Sequence, residues 1–157
     1  MKLRHLFFAC SGVFVMMFSL LLLVVIVFSD EEDGGSGGNL IYGGVSVSQE
    51  VLAHKPMLEK YAREYGIEEY LNVLLAIIQV ESGGTLEDVM QSSESLGLPP
   101  NSLSTEESIK QGCKYFSELL AAAETKGCDL NSVIQSYNYG GGFLDYVAGR
   151  GKKYTFK

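Results

Sequence analysis

Tryptophan is absent from this 157-residue chain, histidine occurs only as His5 and His54, and cysteine only as Cys10, Cys113 and Cys128. No CxxC or Cys/His spacing suggests a metal site, and no Cys-His pair is available for a cysteine-dependent hydrolase. Cys113 falls mid-helix and Cys128 beyond that helix's end, a separation well over the roughly 7 Å that a disulfide bridges. Cys113 is therefore read as a core residue and Cys128 as a loop residue. Positive charge is also scarce: 12 Lys and Arg stand against 19 Asp and Glu, a net charge of −7. Such a surface is a poor ligand for a phosphate backbone, so no nucleic-acid partner is expected. Arg150, Lys152, Lys153 and Lys157 cluster near the end, either as a solvated terminus or as a contact for an anionic polymer. No segment alternates with strand period over a useful length, which points to a mostly α fold.

Leu6 to Phe28 carries no charged residue and is built almost entirely of Leu, Val, Phe and Met. A helix of that length crosses a hydrocarbon core of about 30 Å. Lys2, Arg4 and His5 precede it and Asp30, Glu31, Glu32 and Asp33 follow, so the N-terminus is expected in the cytoplasm and the remainder outside. A cleaved signal peptide would need a shorter core and small residues at its cleavage site, which Val27, Phe28 and Ser29 do not supply. Cys10 stands too near the start of the run for a lipidated cysteine. The expected organisation is a cytoplasmic tip and membrane anchor over 1–28, an acidic, glycine-rich tether over 29–45, and one folded domain over 46–157.

Within that domain the periodicity is helical. Ser46 with Gln49 is a possible capping box, Met57, Leu58, Tyr61, Ala62 and Tyr65 form one apolar face, and Pro56 forces a kink or a new start. Tyr70 to Val80 reads as a helix buried on most sides. Leu98, Pro99, Pro100 and Asn101 make an extended loop, after which Ser104 and Glu107 cap a helix that packs through Ile109, Cys113, Phe116, Leu119 and Leu120 and stops at Gly127. A further helix starts near Leu130, meets Gly140 to Gly142, and continues briefly over Phe143 to Val147.

Glu81 ends the most apolar of these helices, directly after Ile77, Ile78, Gln79 and Val80. Desolvation and the negative end of the helix dipole both disfavour its ionised form there, so its pKa should rise. A carboxylic acid that keeps its proton near neutral pH is what glycosidic cleavage needs at the leaving oxygen. Position alone leaves open a solvent-facing glutamate.

Three blocks narrow the choice: Ile77 to Gly84, including Glu81, Ser82 and Gly83; Asp88 to Ser95, including Val89, Met90 and Gln91; and Ser136 to Gly140, including Tyr137 and Asn138. In order and spacing they resemble the lysozyme-like muramidase domain of Gram-positive bifunctional cell-wall hydrolases, a relative of the soluble lytic transglycosylases. The resemblance implies a mostly α, lysozyme-like (lytic transglycosylase-like) domain, preceded here by one transmembrane helix, with no cofactor. It implies Glu81 as general acid and Asp88 as the second carboxylate that activates water or stabilises an oxocarbenium-like transition state; Glu87 is the alternative on register. Ser82, Gln91, Ser92, Ser93 and Glu94 would meet the glycan, although the serines can equally cap the next element. Tyr137 and Asn138 would join them, Tyr137 either packing a sugar and holding Glu81 or serving as a core residue with a satisfied hydroxyl. Gly140 to Gly142 either admit the polysaccharide or end the helix.

The implied activity is cleavage of the bond between N-acetylmuramic acid and N-acetylglucosamine in peptidoglycan. Members of the subgroup are encoded on conjugative elements, which implies local wall remodelling and a conjugative secretion apparatus as partner. A lytic transglycosylase forming anhydro ends, or a non-catalytic glycan-binding envelope module, are the competing readings. The endopeptidase activity of bifunctional relatives is not carried over, and Gly151 to Lys157 read as the interior of such a domain, so a domain incomplete at its C-terminus is expected.

Overall fold

A computed structural model describes residues 40–42 and 45–154. The apolar run Leu6 to Phe28, the tether up to Asn39 and Lys157 lie outside the described residues. Among the described residues no helix is long and apolar enough to cross a membrane.

The described chain opens with an antiparallel pair, β1 (Leu40–Tyr42) and β2 (Val45–Val47), in which Ile41 faces Ser46. This corrects the helical reading from Ser46 onward and places Leu40–Tyr42, read as tether, in a strand. Ser46 sits in β2 and caps nothing. The cap of α1 (Gln49–Ala53) is Ser48, whose Oγ accepts from Val51 N at 3.3 Å. Two strands of three residues are too short for a period of two to register, yet Val47 is fully buried and β2 packs against the central helix.

Pro56 marks a new start: α2 (Lys55–Glu64) begins one residue before it, where the missing proline N–H costs nothing. Gly66 ends that segment at φ +68°, and a 3-10 turn over Glu68–Tyr70 leads into α3 (Leu71–Glu81). Val73 through Ile78 are six consecutive buried residues, so α3 is enclosed on all sides along its middle. A second 3-10 turn, Ser92–Leu96, precedes α4 (Thr105–Lys126), α5 (Leu130–Tyr139) and α6 (Gly142–Ala148). The capping box holds as read, with Ser104 N–H donating to Glu107 Oε2 at 3.0 Å, and Gly127 closes α4 at φ +69°. Helix α4 packs against α2, α5 and the Ser92–Leu96 turn. Tyr61 and Lys60 of α2 both donate to Glu106 of α4, at 2.6 and 3.1 Å. Cys113 and Cys128 are free thiols, Cys113 buried and Cys128 partly exposed, as expected.

After α3 the chain turns through Gly83 and Gly84, and the turn is fastened to α1. Ser48 N donates to Gln79 Oε1 at 2.7 Å, Ser48 Oγ to Gly83 O at 3.3 Å, and His54 Nε2 to Gly84 O at 2.9 Å. Gly84 has φ +78°, and a Cβ there would lie 2.7 Å from both Glu50 C and Val51 N. Both the left-handed backbone and the close approach require glycine. Gly84→Ala should therefore lower the thermal midpoint by more than about 4 °C for a domain of this size, read by circular dichroism; an unchanged midpoint would show that α1 moves aside freely.

Candidate active site

Glu81 is the last residue of α3, with part of its surface open. Burial raises its carboxyl from the ordinary 4.5 to about 7, helped first by the charge of Glu94 and then by that of Asp88. Glu87 is exposed and is not among those charges. Ser82, expected to meet the glycan, uses its hydroxyl internally: Oγ donates to Val89 O at 2.8 Å and accepts from Gly84 N at 3.0 Å. It fastens the end of α3 to the loop that carries Asp88.

Asp88 is fully buried. Its Oδ1 accepts from Ser92 N at 2.9 Å and Ser108 Oγ at 2.6 Å, and its Oδ2 from Ser93 N at 3.2 Å. Ser108 Oγ in turn accepts from Met90 N at 3.0 Å, and Ser92 Oγ donates to Ser108 O at 2.9 Å. A carboxylate out of water must find its donors inside the protein. Here the loop following it folds back to supply them.

Gln91 bears the conformational cost of that fold. It adopts φ +47°, ψ +37°, uncommon for a residue with a side chain, and its Nε2 donates to Asp88 O at 2.8 Å and Asn101 Oδ1 at 2.7 Å. Ser92 and Ser93 are buried, and among the described residues Ser93 Oγ has no hydrogen-bond partner. Glu94 is exposed.

Tyr137 is buried and donates its hydroxyl to Met90 O at 3.1 Å, so the core reading of this residue holds and its proton goes to a carbonyl rather than to Glu81. Burial, then the charge of Glu81, raises its phenol well above the ordinary value. Its ring sits 5.5 Å from Tyr115 and 6.4 Å from Phe116. Gln91, Ser92, Glu94, Tyr137 and Asn138 meet around a cavity of about 240 Å³, together with Tyr115, Tyr139 and Gly140. The expected polar residues thus divide. Gln91, Glu94 and Asn138 line the cavity, while Ser82, Asp88 and Ser93 hold its walls from behind.

Two residues of this site escaped the sequence reading. Ser108 is the hidden donor to Asp88, and Gly112 lies where a Cβ would stand 2.5 Å from Met90 Sδ and 2.9 Å from the Tyr137 hydroxyl. Both fall on the inward stripe of α4 with Ile109, Cys113 and Phe116. A small polar residue and a glycine in such a stripe are the signal that would have found them.

An enclosed apolar helix within a mostly α-helical domain, ending in a carboxyl that burial pushes up to about 7, fits the lysozyme-like class; Glu81 itself is not among the residues that line the cavity, and Glu94, whose charge acts on it, is. The profile described as lysozyme-like matches residues 48–157, and the chain belongs to that family. It is 44% identical over 117 residues to the Bacillus subtilis bifunctional muramidase/DL-endopeptidase CwlT, covering 74% of this chain and 35% of that protein. It is 39% identical over 110 residues to the uncharacterized membrane protein YocA of the same organism, covering 69% of this chain and 49% of the other. A Staphylococcus aureus crystal structure described as similar to lipoprotein, NLP/P60 family, superposes with a TM-score of 0.69 at 77% identity, covering 69% of this chain and 37% of that one. The chain thus spans between a third and a half of these relatives' lengths.

Two measurements probe the site without any substrate. Ser108→Ala removes a donor from a buried carboxylate and should destabilise the domain by about 1 to 3 kcal/mol; a smaller loss in denaturant titration would mean that solvent replaces the hydroxyl. Because folding raises the pKa of Glu81, the folded state keeps a proton that the unfolded chain releases, and stability should decline as pH rises from about 4.5 to about 7. Glu81→Gln should flatten that decline, and an unaltered pH slope in thermal melts would remove Glu81 as its source.

Proposed function

We propose that this chain is a peptidoglycan glycoside hydrolase, an N-acetylmuramidase that cleaves the bond between N-acetylmuramic acid and N-acetylglucosamine with Glu81 as the general acid. The observation that carries the reading is the carboxyl of Glu81, raised to about 7 by burial and then by the charge of Glu94, which lines the cleft with Gln91 and Asn138. At neutral pH a large fraction of it is protonated and able to donate to a leaving oxygen. Membership of the lysozyme-like family and likeness to a protein named as a muramidase support the same chemistry.

Asp88 acts in this reading by charge and by position. Shut away from solvent, it holds the Ser92 and Ser93 backbone, raises the pKa of Glu81, and adds negative potential where an oxocarbenium-like centre would form. The same burial favours a second reading, lytic transglycosylation, in which the substrate's own hydroxyl closes the ring and no carboxylate needs to reach water. Anchoring through Leu6–Phe28 with the domain outside the cytoplasmic membrane, and wall remodelling beside a conjugative secretion apparatus, complete the proposal. Likeness to a protein named as a membrane protein supports the anchor.

Glu81→Gln should abolish clearing of peptidoglycan in a zymogram; a variant that still clears would remove Glu81 from the mechanism, and a wild type that binds but does not clear would leave a glycan-binding module. The wild-type rate should fall as pH rises through about 7, and Glu94→Gln, which removes the larger of the two charges acting on Glu81, should move that fall to lower pH. Mass spectrometry of the digest decides between the chemistries: hydrolysed ends support the muramidase, and anhydro ends alone transfer the assignment to a transglycosylase.

A further inference from the structure

The lysines and arginines of the domain are unevenly matched. Lys55, Lys60, Lys110, Lys114 and Lys126 each stand in an ion pair with a glutamate or an aspartate. Among the described residues Arg63, Arg150, Lys152 and Lys153 have no ion-pair partner, and the last three, all exposed, follow directly on the end of α6. Two acids at this end of the fold are engaged elsewhere: Asp145 is paired with Lys126, while Asp129 caps α5 and accepts from Ser132 N and Tyr154 N. On a chain of net charge −7 this is an isolated cationic corner.

The same corner is aromatic. Tyr139, Phe143, Tyr146 and Arg150 form one continuous stack: ring centroids are 5.2 Å apart from Tyr139 to Phe143 and 5.7 Å from Phe143 to Tyr146, and the Arg150 guanidinium lies 3.8 Å over the Tyr146 ring. The stack fills its own interior. Its outer sides remain in solvent, with Tyr139 46% and Tyr146 54% exposed. Stacking occupies one face of the guanidinium and leaves its donor edge free for an oxyanion. Rings packed on one another in this way make a rigid ridge, suited to lying against an extended surface. Tyrosine, with an apolar body and a polar tip, favours the boundary between hydrocarbon and headgroups, and lysine and arginine favour anionic headgroups.

We propose that this ridge is a membrane-docking face, on which Tyr139 and Tyr146 rest at the headgroup level of an anionic bilayer while Arg150, Lys152 and Lys153 meet lipid phosphates. Charge complementarity selects the partner. Outside this corner the acids of the domain outnumber its lysines and arginines, so the same bilayer repels its other faces. The inference takes proximity from the anchored reading: from Ser29 to Asn39 the chain reaches at most about 40 Å, little more than the width of a small domain. The bilayer therefore stays within reach of the domain's surface. Tyr139 also lines the cavity that holds Gln91 and Asn138, so docking would turn that cavity toward the layer of wall next to the membrane.

The chain has no tryptophan, so Tyr146→Trp in the full chain places a single reporter on the ridge and keeps a ring under Arg150. In vesicles of phosphatidylcholine with phosphatidylglycerol, its emission should shift to the blue and be quenched by lipids brominated near the headgroup. In phosphatidylcholine alone it should stay solvent-like, and high salt should reverse the shift. Arg150→Gln with Lys152→Gln and Lys153→Gln should weaken docking on the order of a hundredfold, about fivefold for each cation, and return the reporter to solvent. The charge-conserving set Arg150→Lys, Lys152→Arg and Lys153→Arg should keep the shift, with circular dichroism confirming that each variant folds. A Leu98→Trp reporter should stay unquenched: Leu98 is 42% exposed ahead of the start of α4, whereas α6 pairs with Lys126 at that helix's other end. Equal quenching at both reporters, quenching that ignores phosphatidylglycerol or survives the triple glutamine variant, or a shift produced by a polyol-phosphate wall polymer and not by anionic lipid would each overturn the proposal. A chain that resists carbonate extraction from the vesicles but shows no shift overturns the docking face alone. One that shows the shift and is then released by carbonate overturns the anchor and leaves the docking face standing.

Discussion

The buried carboxylate of Asp88 is the constraint on which the site depends. A charge removed from water in this way is tolerated only where several donors converge on it, and the loss of any one is felt in full. Ser92 N, Ser93 N and Ser108 Oγ meet that requirement together. Much of the surrounding geometry follows. The chain must reverse within four residues, which puts Gln91 in a left-handed conformation; Ser108 must stand on the inner face of α4; and Met90 is left with its carbonyl aimed at Tyr137. Gly112 makes room for that last contact. One carboxylate therefore couples a loop, α4 and α5 into a single rigid wall.

Glu81 meets the opposite treatment. Asp88 is given donors, while Glu81 is given burial and two negative neighbours, and burial dominates. The two acids lie only seven positions apart, yet one carboxyl is held by three donors and the other is pushed up by burial. The tie of Ser82 Oγ to Val89 O keeps those environments in fixed relation, because it joins the residue after one acid to the residue after the other.

Most of the helical frame was legible from the sequence because its signals are local. Ser104 with Glu107, Gly66, Gly127 and the apolar run ending at Glu81 each state a boundary in a few residues. The β1–β2 pair was missed because three residues show no period, although the Gly43 and Gly44 dipeptide is a hairpin signal. At the site, residue identity was legible but the direction of side chains was not. A polar residue in such a motif looks alike whether it faces the cavity or bonds inward, and Ser82 and Asp88 bond inward. Their partners lie across the fold: Ser108 is 20 positions from Asp88, a pairing that only packing reveals.

The fastening of α1 to the end of α3 has a mechanical side. Pull applied to the chain ahead of Leu40 enters through the β1–β2 ladder, reaches Ser48, and passes by one 2.7 Å hydrogen bond to Gln79, two residues before the acid. Ser48 Oγ and His54 carry the rest of the load to Gly83 and Gly84, just beyond it. Glu81 thus lies between two points at which the N-terminal segment is fastened to the helical body, Gln79 before it and Gly83 with Gly84 after it.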